Sequence, residues 1–296
     1  MSKFQRATKE QAKLRLALCG TAGTGKTWSA LAIATELVPG GRIALIDTER
    51  GSASLYADTF TFDALNLETH APDSYVEAIQ DAEREGYDVI IVDSLSHAWS
   101  GTGGALEMVN QAQKRSSSNN SFAAWRDVTP KHNRLVDAII SSRCHVIATM
   151  RSKTEWVLEK DEKTGKTVPK RVGMEPIQRS GVEYEFTVVG DIDLTHTLMI
   201  TKTRCSALAD AVIEKPGAQI GRTLREWLNS GAAPTPKVVA VQHRNASDNA
   251  VPDLSAIDSA KTLDELKALV PELKKLDGPA KEAMRLRYAE RVAQLS

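Results

Sequence analysis

The sequence lacks any long apolar segment. Its longest aliphatic run covers residues 89–92 only, whereas about 20 residues are needed to cross a bilayer. The N-terminal residues also show no apolar core typical of a secretory signal. These absences argue against membrane-protein classes and predict a cytoplasmic protein with no membrane partner.

Cysteine is scarce. The three cysteines, Cys19, Cys144 and Cys205, stand singly in apolar stretches. Their spacing fits neither a zinc site nor a disulfide framework. They are expected to be small buried side chains in a reducing compartment.

An excess of one charge is also missing. The 296 residues contain 38 Lys and Arg against 38 Asp and Glu. A dedicated nucleic-acid coat would be strongly basic. Any polyanion must therefore be bound by a local patch.

Short aliphatic runs alternate with helical periodicity from residue 14 onwards. This alternation predicts the α/β class, with a mainly parallel sheet flanked by helices. The predicted strands cover residues 14–19, 42–47, 88–93, 145–150, 183–189 and 196–201. The predicted helices cover residues 27–37, 74–85, 104–114, 123–141 and 222–229.

The composition changes after Gly231 to a stretch rich in Ala, Pro, Asn and Ser, which is typical of a flexible linker. Further on, Thr262 and Glu265 have the spacing of a capping box that opens a helix. The predicted parts are an N-terminal arm (1–13), a core (14–231), a linker (232–253) and a small C-terminal helical hairpin (254–296).

A phosphate-binding loop follows the first predicted strand and directly precedes a helix. Its eight residues match GxxxxGK[ST]. The glycines let successive backbone amides point at phosphate oxygens, and the helix N-terminus adds its dipole. ATP and Mg²⁺ are the expected ligands, with Lys26 on the β and γ phosphates and Thr27 on the metal. The loop consists of Gly20, Thr21, Ala22, Gly23, Thr24, Gly25, Lys26 and Thr27.

A second motif is the aliphatic strand 88–93, which ends in Asp93. Ligands bind at the carboxyl ends of parallel strands. Asp93 is therefore predicted to hold the magnesium shell together with Thr27.

Glu49 ends another predicted strand and could orient or deprotonate a water near the γ phosphate. The segment 46–49, Tyr56 seven residues later and the segment 92–94 resemble the RecA-like recombinase ATPases. The resemblance implies that Glu49 is the catalytic base and that Tyr56 stacks on adenine. An ordinary strand-end carboxylate and a packing tyrosine are the alternatives.

The resemblance extends to Lys202 and Arg204, which alternate with threonines at the end of a predicted strand. It implies that this cationic pair reaches the γ phosphate of a neighbouring subunit in a ring or filament. A homo-oligomer with a shared active site is thus expected. A basic edge strand that discourages aggregation is the alternative.

The form that this chain resembles most is the small RecA-like ATPase of bacteriophages associated with single-strand annealing and recombination, over roughly residues 14–230. A phage-encoded protein would act in the bacterial host cytoplasm. One departure from the family pattern concerns the γ-phosphate switch. The family usually ends the strand at this place with Asn-Gln, whereas here the strand 145–150 runs into Arg151. Arg151 could instead sense phosphate by its charge.

Two basic segments, 113–134 and 151–179, coincide with the DNA loops of the resembled family. Basic groups next to an aromatic side chain suit single-stranded DNA, bound without sequence readout and with strong salt dependence. The second segment reads as a β-hairpin arm that pairs 156–158 with 167–169. Solvated surface charge is the alternative. The predicted contacts are Arg115, Arg126, Lys131, Trp156, Lys170, Arg171 and Arg179.

Together these features predict an ATP-hydrolysing protein that acts on single-stranded DNA in phage-type recombination or strand annealing. A single-strand-binding protein is a further partner that this role admits. Two other functions remain open: a replicative helicase or helicase loader, and a nucleotide-switched assembly protein without DNA activity.

Overall fold

Residues 12–115, 121–160 and 167–231 are described in a computed structural model, together with positions 262, 264–265, 288 and 291–292. The chain divides into two compact units, Met1–Pro234 and Thr235–Ser296. The predicted linker and nearly all of the N-terminal arm and the C-terminal hairpin lie outside the described residues. Within the hairpin segment, Thr262 Oγ1 accepts a hydrogen bond from the Glu265 amide at 3.3 Å, as a helix N-cap does.

The strands are β1 Arg15–Gly20, β2 Ile43–Asp47, β3 Asp63–Asn66, β4 Val89–Asp93, β5 His145–Lys160, β6 Thr167–Pro176, β7 Val188–Ile192, β8 Thr197–Thr203 and β9 Val212–Glu214. The helices are α1 Lys26–Leu37, α2 Pro72–Arg84, α3 Ser96–Ser100, α4 Ala105–Arg115, α5 Ser121–Ser141 and α6 Ala218–Asn229. Short 3-10 segments cover Ser52–Tyr56, Val182–Glu185 and Ser206–Leu208.

The sheet has the strand order β3-β2-β4-β5-β1-β7-β8-β9, and β6 pairs with β5 alone. Strands β3, β2, β4, β5, β1 and β7 run parallel, whereas β8 and β9 add antiparallel pairs at one side. This arrangement confirms the predicted α/β class, a mainly parallel sheet with flanking helices.

Both faces of the sheet are covered, which explains why its strands are continuous apolar runs. In β4, Val89 and Ile91 pack on one face among side chains of α1 and α6, such as Leu31. The alternate residue Ile90 packs on the other face against Ile79 of α2 and neighbouring side chains of α5. The two clusters therefore enclose β4 from both sides.

Several elements were not predicted from the sequence. All four residues of β3 are exposed, so this strand has no apolar alternation to reveal it. Helix α3 has only five residues, which is too short for helical periodicity. The strand predicted at 183–189 was wrong in its first half, because the 3-10 segment Val182–Glu185 stands there, opened by Gly181 at φ 89°.

The predicted hairpin arm is confirmed in its backbone. Strand β5 continues to Lys160 and pairs antiparallel with β6, with Leu158 opposite Pro169. Its connection, residues 161–166, lies outside the described residues. Among the helices that the structure describes, none combines the length and the apolar character that a membrane crossing requires.

His145 opens β5 with a partly buried hydrogen bond. The Leu14 amide donates to His145 Nδ1 at 2.9 Å, so this nitrogen must be unprotonated. Burial, reinforced by the nearby charges of Lys13 and Arg15, lowers the pKa of His145 to about 4.

This shift predicts a loss of stability in mild acid. The folded chain resists the proton that the unfolded chain binds near pH 6.5, so stability is full above that pH and falls as the pH drops towards 4. The loss should reach about 3 kcal/mol. Urea unfolding from pH 4 to 7 should show a flatter profile for His145→Asn, whose Oδ1 can still accept the Leu14 amide. Parallel profiles for the two proteins would contradict this origin.

Candidate active site

The carboxyl ends of β1, β2 and β4 lie side by side at one end of the sheet, next to Arg151 within β5. Asp47 of β2 is paired with Asp93 of β4, and Gly20 of β1 is paired with Arg151 of β5. Because β5 lies between β4 and β1, the phosphate-binding loop, Asp93 and Arg151 become neighbours.

The phosphate-binding loop has the expected backbone. Gly23 and Gly25 have φ values of 82° and 86°, in the left-handed region that favours glycine. Lys26 Nζ donates to the Thr21 carbonyl at 2.7 Å, so the ammonium group lies within the loop. Burial lowers the pKa of Lys26, while the negative charges of Asp93 and Glu49 oppose this shift.

A cavity of about 510 Å³ opens over the loop and has the size of a small-molecule site. It brings together most of the predicted nucleotide and catalytic residues, whereas Gly20 and Thr21 line a neighbouring cavity instead. The predicted residues that line it are Ala22, Gly23, Thr24, Gly25, Lys26, Thr27, Glu49, Tyr56, Asp93 and Arg151.

Two threonine hydroxyls fix the carboxylate of Asp93. Thr27 Oγ1 donates to Oδ2 at 2.6 Å, and Thr149 Oγ1 donates to Oδ1 through a short hydrogen bond. Burial raises the pKa of Asp93, and the two hydroxyls act against this rise. Sequence reasoning missed Thr149, because a threonine inside an apolar strand carries no motif.

This donor set fits Mg²⁺. The Thr27 hydroxyl and the Asp93 carboxylate are hard oxygen ligands, and Mg²⁺ is commonly held by one or two protein groups plus phosphates and water. In the described part of the chain, no group of three or more His, Cys, Asp or Glu side chains could hold a metal ion by itself. Phosphate oxygens would have to complete the shell.

Asp47 fixes the segment that carries Glu49. Its buried carboxylate accepts the Glu49 amide at 2.5 Å and the Ala53 amide at 3.2 Å. Glu49 in turn pairs with Arg151, whose Nε and Nη2 donate to Oε1 at 3.1 and 2.7 Å. None of the described hydrogen bonds uses the second oxygen, Oε2. Within the described part of the chain, Glu49 Oε2 is thus free of hydrogen bonds, on a side chain that lines the cavity.

Aromatic side chains stand at one side of the cavity. The ring of Trp28 packs edge-on against Tyr56 and Phe60, with centroids 5.6 and 4.9 Å apart. Trp28 is 44% exposed. It was not predicted from the sequence, although an aromatic residue directly after Thr27 was a visible signal.

Residues from two distant loops also line the cavity. These are His196 before β8 and Lys215 and Pro216 after β9. His196 Nδ1 lies 3.1 Å from the Thr24 carbonyl, and the Lys215 amide donates to the His196 carbonyl at 2.8 Å. No local pattern indicated them, because they approach the loop only through the strand pairing of β7, β8 and β9.

Lys202 and Arg204 are not brought to this cavity. Strand β8 runs antiparallel to β7, so its carboxyl end lies beside the amino ends of the parallel strands. This is the end of the sheet opposite the phosphate-binding loop. Lys202 Nζ instead donates to the Tyr184 carbonyl through a short hydrogen bond. Desolvation lowers the pKa of Lys202, and the positive charge of Arg204 lowers it further.

The predicted DNA residues occupy α4, α5 and the arm. Arg115 is exposed at the end of α4, and Arg126 on α5 lies 3.7 Å from Asp127. Lys131 pairs with Asp73 of α2 at 3.5 Å. Arg179 is exposed and donates to Asn133 at 3.0 Å. Strand β5 contains Trp156, and β6 contains Lys170 and Arg171. The side chains of these three residues lie outside the described part of the structure.

Thr149→Val should weaken the binding of ADP when Mg²⁺ is present, but not when Mg²⁺ is removed. The substitution keeps the side-chain shape but removes the hydrogen bond to Asp93, and loss of such a supporting contact costs about 10- to 100-fold in metal affinity. Calorimetric titration with ADP should show the loss in Mg²⁺ and not in EDTA. Thr35→Val on α1 is the matched control. Equal losses in both buffers would contradict the role assigned to Thr149.

No curated protein matches the chain. A solved structure that matches is the crystal structure of the RadB recombinase, with 16% identity and a TM-score of 0.35, over 64% of this chain and 81% of that one. A family model described as an AAA domain matches residues 12–224. The chain therefore belongs to this AAA domain family.

Proposed function

We propose that this protein binds Mg·ATP and hydrolyses it, and that the nucleotide controls its binding to single-stranded DNA. One observation supports hydrolysis above all: the Glu49 carboxylate lines the same cavity as Lys26, Thr27 and Asp93. A site that only binds a triphosphate needs the last three residues but no carboxylate to activate water.

Each side chain then has a distinct role. The loop amides and Lys26 hold the phosphates, while Thr27 and Asp93 hold the metal that neutralises phosphate oxygens. Glu49 Oε2 takes the proton from water as the water oxygen attacks the γ phosphorus. The bond from that phosphorus to the β–γ bridging oxygen breaks, and ADP leaves.

Arg151 is the proposed phosphate sensor. Its guanidinium binds Glu49 Oε1 and lines the same cavity. A γ phosphate is a second anion for the same guanidinium, so it competes with Glu49 for these donors. The presence of the third phosphate would thus alter how tightly the base is held.

A neighbouring copy would complete the site. Lys202 and Arg204 lie at the end of the sheet opposite their own phosphate-binding loop. They can therefore reach only the nucleotide of another subunit. Paired cations at a γ phosphate stabilise the charge that develops in phosphoryl transfer. This geometry supports a ring or filament with shared active sites.

The DNA surface is proposed on α4 and α5, continued by the arm. Arg115 and Arg126 are exposed there. The carboxylate of Asp73 lies 3.5 Å from Lys131 Nζ and 2.7 Å from Arg134 Nη2, so it competes with phosphates for both cations. Together with the bacteriophage resemblance, this surface supports a role in phage-type recombination or strand annealing.

Glu49→Gln is expected to abolish most ATP turnover while ATP still binds. A missing general base costs on the order of 10²–10⁴-fold in kcat, whereas the phosphate contacts of the loop remain. Phosphate release and nucleotide affinity should be measured with and without single-stranded DNA. Glu77→Gln, an exposed position on α2, is the control. Unchanged turnover in Glu49→Gln would refute hydrolysis by this base.

Asp73→Asn is expected to tighten DNA binding. It removes the carboxylate that competes for Lys131 and Arg134, and affinity should rise by a factor on the order of 3–10 at low salt. Fluorescence anisotropy with a labelled oligothymidylate at two salt concentrations would measure this. Asp210→Asn, an exposed position between the 3-10 segment Ser206–Leu208 and β9, should have no effect. No gain in Asp73→Asn would exclude this surface of α5.

A further inference from the structure

The hydroxyl of Thr48, the residue before Glu49, lies at the centre of a buried hydrogen-bond network. Thr48 Oγ1 accepts the Ser94 amide at 2.9 Å and lies 3.1 Å from the Asp93 carbonyl. It also lies 2.7 Å from Nδ1 of His97 in α3. The Thr48 amide donates to the Asp93 carbonyl at 2.8 Å. This network ties the end of β2 to the end of β4.

The hydrogen-bonding capacity of the Thr48 hydroxyl favours one tautomer of His97. A threonine hydroxyl has one proton to donate and two lone pairs that accept. The Ser94 amide uses one lone pair, and the nearby carbonyls of Asp93 and Ser94 can only accept the proton. The Tyr75 hydroxyl donates to the Ser94 carbonyl at 3.3 Å. The remaining lone pair of Thr48 faces His97 Nδ1 at 2.7 Å, and the proton of this contact is assigned to Nδ1. This assignment uses the single proton and both lone pairs of the Thr48 hydroxyl.

Helix α3 also fixes the other partner of Glu49. Ser96 Oγ accepts the amide of Arg151 at 2.9 Å, so adjacent residues of α3 hold Thr48 and Arg151. The His97 ring is itself held by stacking on His70, with centroids 4.9 Å apart. A Cβ at Gly101 would lie 2.5 Å from His70 Nδ1, so the end of α3 packs closely on this stack.

We propose that His97 is a positioning residue for the Glu49 base, acting through the Nδ1–H to Thr48 hydrogen bond. Glu49 follows Thr48 directly, so a rotation of Thr48 displaces the carboxylate relative to the phosphates that Lys26 holds. Displacements of about 1 Å at a reacting group can cost about 10²-fold in rate. This inference rests on the proposed hydrolytic function.

Three substitutions at position 97 test the hydrogen bond. In His97→Asn, Nδ2 stands where Nδ1 stood and can still donate, whereas His97→Gln places its amide further out and His97→Ala has none. We expect kcat to fall about 10- to 100-fold in the Ala and Gln variants and less than about threefold in the Asn variant. Nucleotide affinity should stay within about twofold in all three. Equal loss in the Asn and Ala variants, or a loss that appears in affinity alone, would overturn the proposal.

A double-mutant cycle separates this route from general damage to the fold. Thr48→Val removes the acceptor, so adding His97→Ala to it should lower kcat no further. Losses that multiply would show that His97 acts by another route. Thermal unfolding of each variant checks that the fold persists.

A measurement on the protein without turnover decides the hydrogen bond independently. In ¹⁵N-labelled protein, the His97 imidazole, assigned by its absence in His97→Asn, should be protonated at Nδ1. An Nε2-protonated ring would overturn the proposal even if ATP is hydrolysed. If the wild type does not hydrolyse ATP or Glu49→Gln is fully active, the proposed function fails instead. The two failures are therefore distinguishable.

Discussion

The parallel alignment of strand ends is the constraint on which this site depends. Asp47 stands opposite Asp93, and Gly20 stands opposite Arg151, so the ends of β1, β2 and β4 lie in line with Arg151 of β5. Helices on both faces bury the strands up to that line and leave only their ends accessible. A slip of one residue in any of these pairings would turn its functional side chain into the core.

The sequence revealed the parts of this site that are local. The loop 20–27 combines glycines, a lysine and a threonine in one short pattern, and the aliphatic run before Asp93 marks a buried strand. Thr149 and His196 could not be found in this way, because each meets its partner only after distant strands pair. Strand β3 escaped prediction for the opposite reason: it is exposed and has no apolar pattern.

Each of the two carboxylates, Asp93 and Glu49, has its own hydrogen-bond or ion-pair partners. The Asp93 carboxylate is almost fully buried, yet hydroxyls of Thr27 and Thr149 satisfy its oxygens without neutralising it. Its charge thus stays available for a cation. Glu49 instead meets the positive guanidinium of Arg151. The two carboxylates therefore have different surroundings, hydroxyl groups around Asp93 and a guanidinium beside Glu49.

The three-way contact of the Thr48 hydroxyl also bears on how such chains diverge. A valine at position 48 would leave the Ser94 amide without an acceptor and would remove the hydrogen-bond partner of His97. Relatives that lose one of these side chains should then tend to lose the other. Paired substitution at 48 and 97 would mark the lineages in which β2 and β4 are joined differently.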